Sequence, residues 1–197
     1  PKTPKPHPLR NIFFIIIINK MLLNKLARRV LPNRHFSTLV LAEHLEGKLN
    51  SNIGSCLTAA NQLNDKTVDV LIHGSASSVA LQLEQVNKYT GINKVFTATN
   101  DHLENAYGQS IASIASSLIK ANGYTQVVSS TSSFGKDVIP RIGGLLDLQP
   151  ITDVTEIKDN GTKFVRPIYA GNAMCTVSTT DNIKLITVRS TNFDKQP

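Results

Sequence analysis

Residues 68–99, VDVLIHGSASSVALQLEQVNKYTGINKVFTAT, decide the architecture. Val68–His73 is a short apolar run of the kind a buried strand uses. Ser77–Tyr89 then sets Val79, Leu83 and Val86 on one side at helical spacing, and Lys94–Thr99 is a strand again. A strand, a helix and a strand over about 30 residues make a βαβ unit, which implies parallel strands.

The alternation continues in both directions. Upstream, Ser37–Glu43 (STLVLAE) is a strand, and Asn50-Ser51-Asn52 offers caps for a helix whose apolar stripe is Ile53, Cys56, Leu57, Ala60 and Leu63. Downstream, Tyr107–Ala121 carries the clearest helical period, with Ile111, Ile114, Ala115, Leu118 and Ile119 on one stripe. Thr125–Ser129 is a further strand, and Lys136–Leu146 a helix that Pro140 is expected to kink or delay. This order predicts an α/β protein with a mostly parallel sheet flanked by helices, a Rossmann-like layer fold of the nucleotide-hydrolase type.

The pattern changes at Gln149-Pro150. Ile151–Lys158 and Lys163–Tyr169 flank Asp159-Asn160-Gly161, a hairpin signal because Asn and Gly tolerate the positive φ of a tight turn. Asn172–Ser178 and Ile183–Arg189 are expected to repeat that arrangement around Thr179–Asn182, giving an antiparallel β meander at the C-terminal end.

Charge is distributed unevenly. The chain of 197 residues has 21 Lys or Arg against 14 Asp or Glu, a formal charge of +7. Eight of the basic residues (Lys2, Lys5, Arg10, Lys20, Lys25, Arg28, Arg29, Arg34) lie in residues 1–36, which contain no acid. The remaining 13 basic and 14 acidic side chains leave residues 37–197 at −1, so the basic excess describes a leader and not a nucleic-acid-binding domain. The apolar run Ile12–Ile18 is far short of the about 20 residues of a membrane span. The first methionine is Met21, and residues 1–20 are expected to lie upstream of the true start. From Met21 the segment MLLNKLARRVLPNRHF places Leu22, Leu23, Leu26 and Val30 at helical spacing, with Lys25, Arg28 and Arg29 largely on another side. An acid-free, Arg-rich amphipathic helix is the form of a mitochondrial transit peptide, here residues 21–36. Arg34, followed by His35-Phe36 and then Ser37, resembles a matrix-processing site. Residues 37–197 fit one α/β domain.

Candidate chemistry is sparse. Ser129–Lys136 (SSTSSFGK) joins a strand to a helix and could hold an anion on backbone N–H groups, yet it fails as a P-loop: Ser130 stands at the first glycine position and Asp137 follows Gly135-Lys136. A plain strand-to-helix loop is the favoured reading. His44 and His73 fall at the carboxyl ends of the first two strands, with Glu43 nearby, but no third ligand has diagnostic spacing and ordinary loop histidines are favoured. Asp153, Glu156 and Asp159 come at intervals of three along a strand, so they alternate faces and form no acidic cluster. Arg166 and Tyr169 read as edge or interface residues, and the Asn160-Gly161-Thr162 sequon as a turn. Cys56 and Cys175 are too few for a disulfide scaffold or a zinc site and fit two thiols in a reducing compartment. G-x-G-x-x-G, G-x-S-x-G, CxxC and HExxH motifs are absent from the body.

Five blocks, Ser37–His44 (STLVLAEH), Phe134–Leu146 (FGKDVIPRIGGLL), Gln149–Ile157 (QPITDVTEI), Phe164–Val177 (FVRPIYAGNAMCTV) and Val188–Asp194 (VRSTNFD), occur in the order found in one family. The chain closely resembles the amino-terminal domain of the electron transfer flavoprotein alpha subunit, mitochondrial type, across Ser37–Asp194. The resemblance implies a heterodimer with a beta subunit, which takes electrons from acyl-CoA dehydrogenases and other matrix dehydrogenases to a membrane quinone oxidoreductase. It also implies FAD held mainly by a carboxy-terminal domain that should begin near Gln196-Pro197, so that domain is expected to be absent here. No catalytic, cofactor-binding or metal-binding residue can be carried over. The expected role is an electron-carrier subunit, not an enzyme, that supplies the structural domain facing beta in the mitochondrial matrix. It binds no FAD by itself and has no nucleic-acid partner and no membrane span. The rival reading is a stand-alone adenine-nucleotide-binding module of similar fold, using the Ser129–Lys136 loop.

Overall fold

Leu39 and Leu41 bury on one face of a strand and Val40 on the other, all at 3% exposure or less, so this strand needs a layer of helices on each side. The computed structural model describes residues 37–63, 67–105 and 108–196, together with the backbone of residues 15–19. The expected transit peptide, residues 21–36, lies outside the described residues.

In chain order the elements are β1 (Ile15–Asn19), β2 (Ser37–Leu41), β3 (His44–Leu45), β4 (Lys48–Leu49), α1 (Asn52–Gln62), β5 (Thr67–Gly74), α2 (Ala76–Val86) and β6 (Ile92–Thr99). They continue with α3 (Gly108–Asn122), β7 (Gln126–Ser130), α4 (Ser133–Leu146), β8 (Ile151–Val154), β9 (Glu156–Lys158), β10 (Lys163–Ile168), β11 (Ala173–Val177) and β12 (Lys184–Val188). The main sheet has the order β1-β6-β5-β2-β7-β12-β8. Its six strands from β6 to β8 are parallel, and β1 lies antiparallel on the β6 edge with Ile15 opposite Ala98.

Helices α1 and α2 cover one face, packing Ile53, Leu57, Val79 and Val86 on Val40, Val70, Ile72 and Val128. Helices α3 and α4 cover the other, packing Ile111, Ile119, Ile139 and Ile142 on Leu39, Leu71, Phe96 and Val127. Alternate residues of each strand thus enter opposite cores, as the apolar runs predict. The N-termini of α2 and α4 are closed by hydroxyls: Ser75 Oγ accepts from Ser78 N–H and Ser132 Oγ from Gly135 N–H, each at 3.3 Å. Pro140 neither delays nor breaks α4, which runs unbroken from Ser133; the proline removes one backbone donor from a helix already held by Val138, Ile139 and Ile142 in the core.

The meander is corrected in two places. Ile151–Lys158 is not one hairpin strand: β8 joins the main sheet, and only β9 pairs with β10. Ile183–Arg189 does not pair back on Asn172–Ser178, because β12 crosses into the main sheet and lies parallel between β7 and β8. Leu185–Val188 are all buried, so the strand has to sit inside a two-faced sheet, whereas Ala173–Val177 alternate half-buried and exposed and suit a sheet edge. What remains is a three-stranded antiparallel sheet, β11-β10-β9, anchored to the core by Phe164 at 0% exposure. The Asp159–Gly161 turn takes the anticipated positive φ at Asn160 and Gly161, and Asp159 adopts it as well.

One buried polar group joins the layers. Asp69, 5% exposed in β5, accepts from Tyr124 Oη at 2.5 Å and Asn93 Nδ2 at 2.9 Å. Burial and the neighbouring carboxylate hold the Tyr124 phenol well above its ordinary pKa, so it stays a donor. Tyr124→Phe leaves one carboxylate oxygen without a partner, and urea denaturation is expected to register a loss of about 1–3 kcal/mol; an unchanged midpoint would contradict this account.

Candidate functional site

From β2 the chain builds to one side through β5 and β6, then returns to β7 and β12 on the other. Open α/β sheets bind ligands outside the carboxyl ends of the strands at such a reversal. Gathered there are His44, which follows β2, His73 at the end of β5, Glu104 beyond β6, and the loop into α4.

The structure brings the two histidines together. Their ring centroids lie 4.6 Å apart edge to face, and His73 stacks on Phe134 at 5.4 Å. Glu43 turns away to accept from Asn50 Nδ2 at 3.0 Å. The carboxylate that acts most on His44 is Glu104, which accepts from Ser75 N–H at 2.8 Å and from the Ser78 hydroxyl. Sequence reasoning missed Glu104, because its partners Ser75 and Ser78 precede it by 29 and 26 positions. Gly74 makes this convergence possible: its φ is +141°, and a Cβ there would lie 3.2 Å from Glu104 Oε2 and 3.3 Å from His44 Cε1.

Electrostatics keep both rings neutral. Burial lowers the His44 pKa against the raising pull of Glu104 and then Glu43. Burial, and secondarily His44, push His73 down to about 3. The hydrogen bonds from Ser78 and Ser75 hold Glu104 at about 2, so it is ionised. His44 Nδ1 accepts from Gly47 N–H at 3.3 Å, which puts the ring proton on a buried Nε2 that has no hydrogen-bond partner. Two neutral imidazoles packed on each other and on Phe134 make a polar knot at the strand ends. No group of three or more His, Cys, Asp or Glu that could hold a metal occurs among the described residues. Burial also raises the Cys56 thiol to about 12, which leaves it unreactive.

The Ser129–Lys136 loop folds back on its own helix. Ser132 caps Gly135 N–H with its hydroxyl and Lys136 N–H, at 2.9 Å, with its carbonyl. A Cβ on Gly135 would lie 1.9 Å from Ser130 O, so this glycine serves a close approach of backbone to backbone and not an open phosphate cradle.

Asp153, Glu156 and Asp159 form no acidic cluster and each meets a different base, although they lie in β8, in β9 and in the turn after it and not along one strand. Asp153 binds Arg189 with two contacts at 3.0 and 2.5 Å, Glu156 meets Lys158 at 3.4 Å, and Asp159 meets Lys163 at 2.8 Å. Arg166 and Tyr169, read together from the sequence as edge or interface residues, line one cavity of about 520 Å³ with Asp153, Ala170 and Arg189. Three of these residues have left-handed backbone: Asp153 at φ +62°, Tyr169 at +50° and Ala170 at +54°. For Tyr and Ala that conformation costs about 1–2 kcal/mol each.

Residues 38–197 match the family model described as "Electron transfer flavoprotein domain". The chain belongs to the electron transfer flavoprotein family. It is 37% identical over 168 residues to the electron transfer flavoprotein subunit alpha, mitochondrial, of Arabidopsis thaliana, covering 84% of this chain and 46% of that protein. Probable mitochondrial alpha subunits from Caenorhabditis elegans (40% over 159 residues; 80% and 46%) and Cryptococcus neoformans var. neoformans serotype D, strain JEC21 (36% over 165 residues; 83% and 47%) are similar in the same way. The chain spans about half the length of the curated relatives it matches. Membership of the electron transfer flavoprotein family, with the self-capped α4, counts against a stand-alone adenine-nucleotide module.

Two outcomes follow from this geometry. His73 has a folded-state pKa below its unfolded value near 6.5, so above that pH neither state is protonated and nothing is lost. As pH falls from 6.5 toward 3, the unfolded chain takes up a proton that the folded chain refuses, and stability declines. Between pH 7.5 and 5.0 the His73 contribution is about 2 kcal/mol of lost stability, measurable by urea titration at the two pH values and flattened in His73→Asn. Gly135→Ala should displace the Ser130 carbonyl and lower the melting temperature by several degrees, while Gly144→Ala, exposed within α4 with nothing within 4 Å of its Cβ, should raise it slightly because alanine is the better helix former.

Proposed function

We propose that this chain is the amino-terminal portion of an electron transfer flavoprotein alpha subunit, acting as the structural domain that pairs with a beta subunit. The observation that carries this reading is the continuous likeness of residues 38–197 to the family domain, together with 36–40% identity to proteins bearing that subunit's name. The complete complex accepts electrons from acyl-CoA dehydrogenases and other matrix flavin dehydrogenases and passes them to a membrane quinone oxidoreductase. It is a carrier and not an enzyme, which fits a switch-point site built of neutral, packed histidines.

The FAD of the complex is held by a carboxy-terminal α/β domain of the longer subunit, and residues 1–197 alone bind none. Segment 21–36 addresses the protein to the mitochondrial matrix, consistent with the "mitochondrial" in the relatives' names. Among the described residues no helix is long and apolar enough to cross a membrane.

The chain expressed alone is expected to lack the visible flavin band, and mixing it with the beta subunit of the same organism should give a one-to-one complex by sedimentation. One equivalent of tightly bound flavin on the chain alone, or two partners that sediment independently at micromolar concentration, would refute the proposal.

A further inference from the structure

The three-stranded sheet contains one loop geometry twice. Asp159–Thr162 joins β9 to β10 and Tyr169–Asn172 joins β10 to β11; each begins with two non-glycine residues and a glycine at positive φ and closes with a fourth-residue N–H on the first carbonyl, at 3.3 and 3.1 Å. The first loop uses Asp159-Asn160, types that accept the left-handed region. The second forces Tyr169-Ala170 into it, and the chain gains no burial in return, since Tyr169 is 79% exposed.

Arg166 lies beside that loop. Of the three charged groups lining the cavity, Asp153 and Arg189 are fixed on each other, because Asp153 sits at a register shift in β8 and its N–H is held by Thr187 Oγ1 at 2.9 Å. The net positive charge of the lining therefore rests on Arg166, which has no ion pair among the described residues and whose Nε is buried without a hydrogen-bond partner. A guanidinium in that condition is satisfied by a carboxylate, which can accept two parallel N–H bonds.

The adjoining edge has the same character. Among the described strands β11 (AMCTV) pairs only with β10, carries no charge, and exposes Met174 at 58%. Lysine, proline and bulges, the usual protections of an edge strand, are missing from it. Arg, Tyr and Met are the residue types enriched at the cores of protein interfaces.

The geometry points to a protein-docking surface at the β10–β11 end of the small sheet, where a partner inserts an Asp or Glu carboxylate against Arg166 and packs apolar side chains on Tyr169 and Met174. This rests on the pairing with a beta subunit proposed above, and that subunit is the partner to test. With the full chain and the beta subunit, Arg166→Gln should raise the dissociation constant at least about 30-fold and Tyr169→Ala about tenfold. Lys120→Gln, on the far end of α3, should leave it unchanged. In the wild-type complex the Arg166 Nε–H resonance should shift and gain protection from exchange, a readout that needs no variant to fold.

If the wild-type chains associate but folded Arg166→Gln binds equally well, or the Nε–H signal does not move, the docking inference is overturned while the pairing stands. If the wild-type chains do not associate, both fall. If millimolar inorganic phosphate moves the Arg166 signal and the beta subunit does not, the cavity is a free-anion pocket and the inference is likewise overturned.

Discussion

Insertion of β12 between β7 and β8 is the constraint on which the rest of the C-terminal third depends. β8 touches the main sheet only through β12, so without that late strand it would have no partner there. Residues 155–183 between them are a crossover excursion: β8 and β12 run parallel, so the chain leaves beyond Val154 and re-enters at the opposite end of the strands, and its departure point is pinned by Arg189, whose N–H bonds Val154 O at 2.8 Å and whose guanidinium clamps Asp153. The small sheet is therefore held at its base by main-sheet hydrogen bonds and at its middle by Phe164. A three-stranded sheet needs such packing to persist, since few strands alone bury too little apolar surface.

This constraint also marks where the sequence was legible and where it misled. The βαβ alternation could be read because buried parallel strands are uninterrupted apolar runs and their helices carry a single apolar stripe, as in Val68–His73 and Tyr107–Ala121. The second hairpin was misread because Thr179–Asn182 is a true turn segment, with Asp181 N–H on Thr179 Oγ1, and a turn signal gives a change of direction without naming the strand's partner. The deciding signal was the contrast between four successive buried residues in Leu185–Val188 and the alternation of Ala173–Val177. Pro140 misled for a related reason: a proline costs a helix one donor, and a sufficiently buried helix bears that loss.

At the site, types and approximate positions could be read but juxtapositions could not. His44 and His73 both read as strand-end residues, and parallel neighbours with aligned ends necessarily bring them close. Glu104 carried no local signal, because it enters through a turn beyond β6. Arg166 and Tyr169 lay in one recognisable block, yet the left-handed backbone at Tyr169-Ala170 is invisible in a sequence that offers neither Asn nor Asp there.

Strain and charge are distributed differently at the switch point and at the end of the small sheet. Around the switch point both histidines are neutral by burial, Glu104 is satisfied by Ser75 and Ser78, and the position where backbone, His44 and Glu104 converge is a glycine, Gly74. At the end of the small sheet alanine and tyrosine occupy glycine-favouring conformations in succession, the Arg166 Nε is buried without a hydrogen-bond partner, and the edge strand carries no charge. A domain selected for stability alone would place Asn or Gly at Tyr169-Ala170, as it does at Asp159-Asn160 in a loop of the same geometry a few residues earlier. The strained version at Tyr169-Ala170 fixes the orientation of an exposed tyrosine at a cost in stability, which is the pattern expected of the docking surface proposed above and not of a loop kept for folding alone.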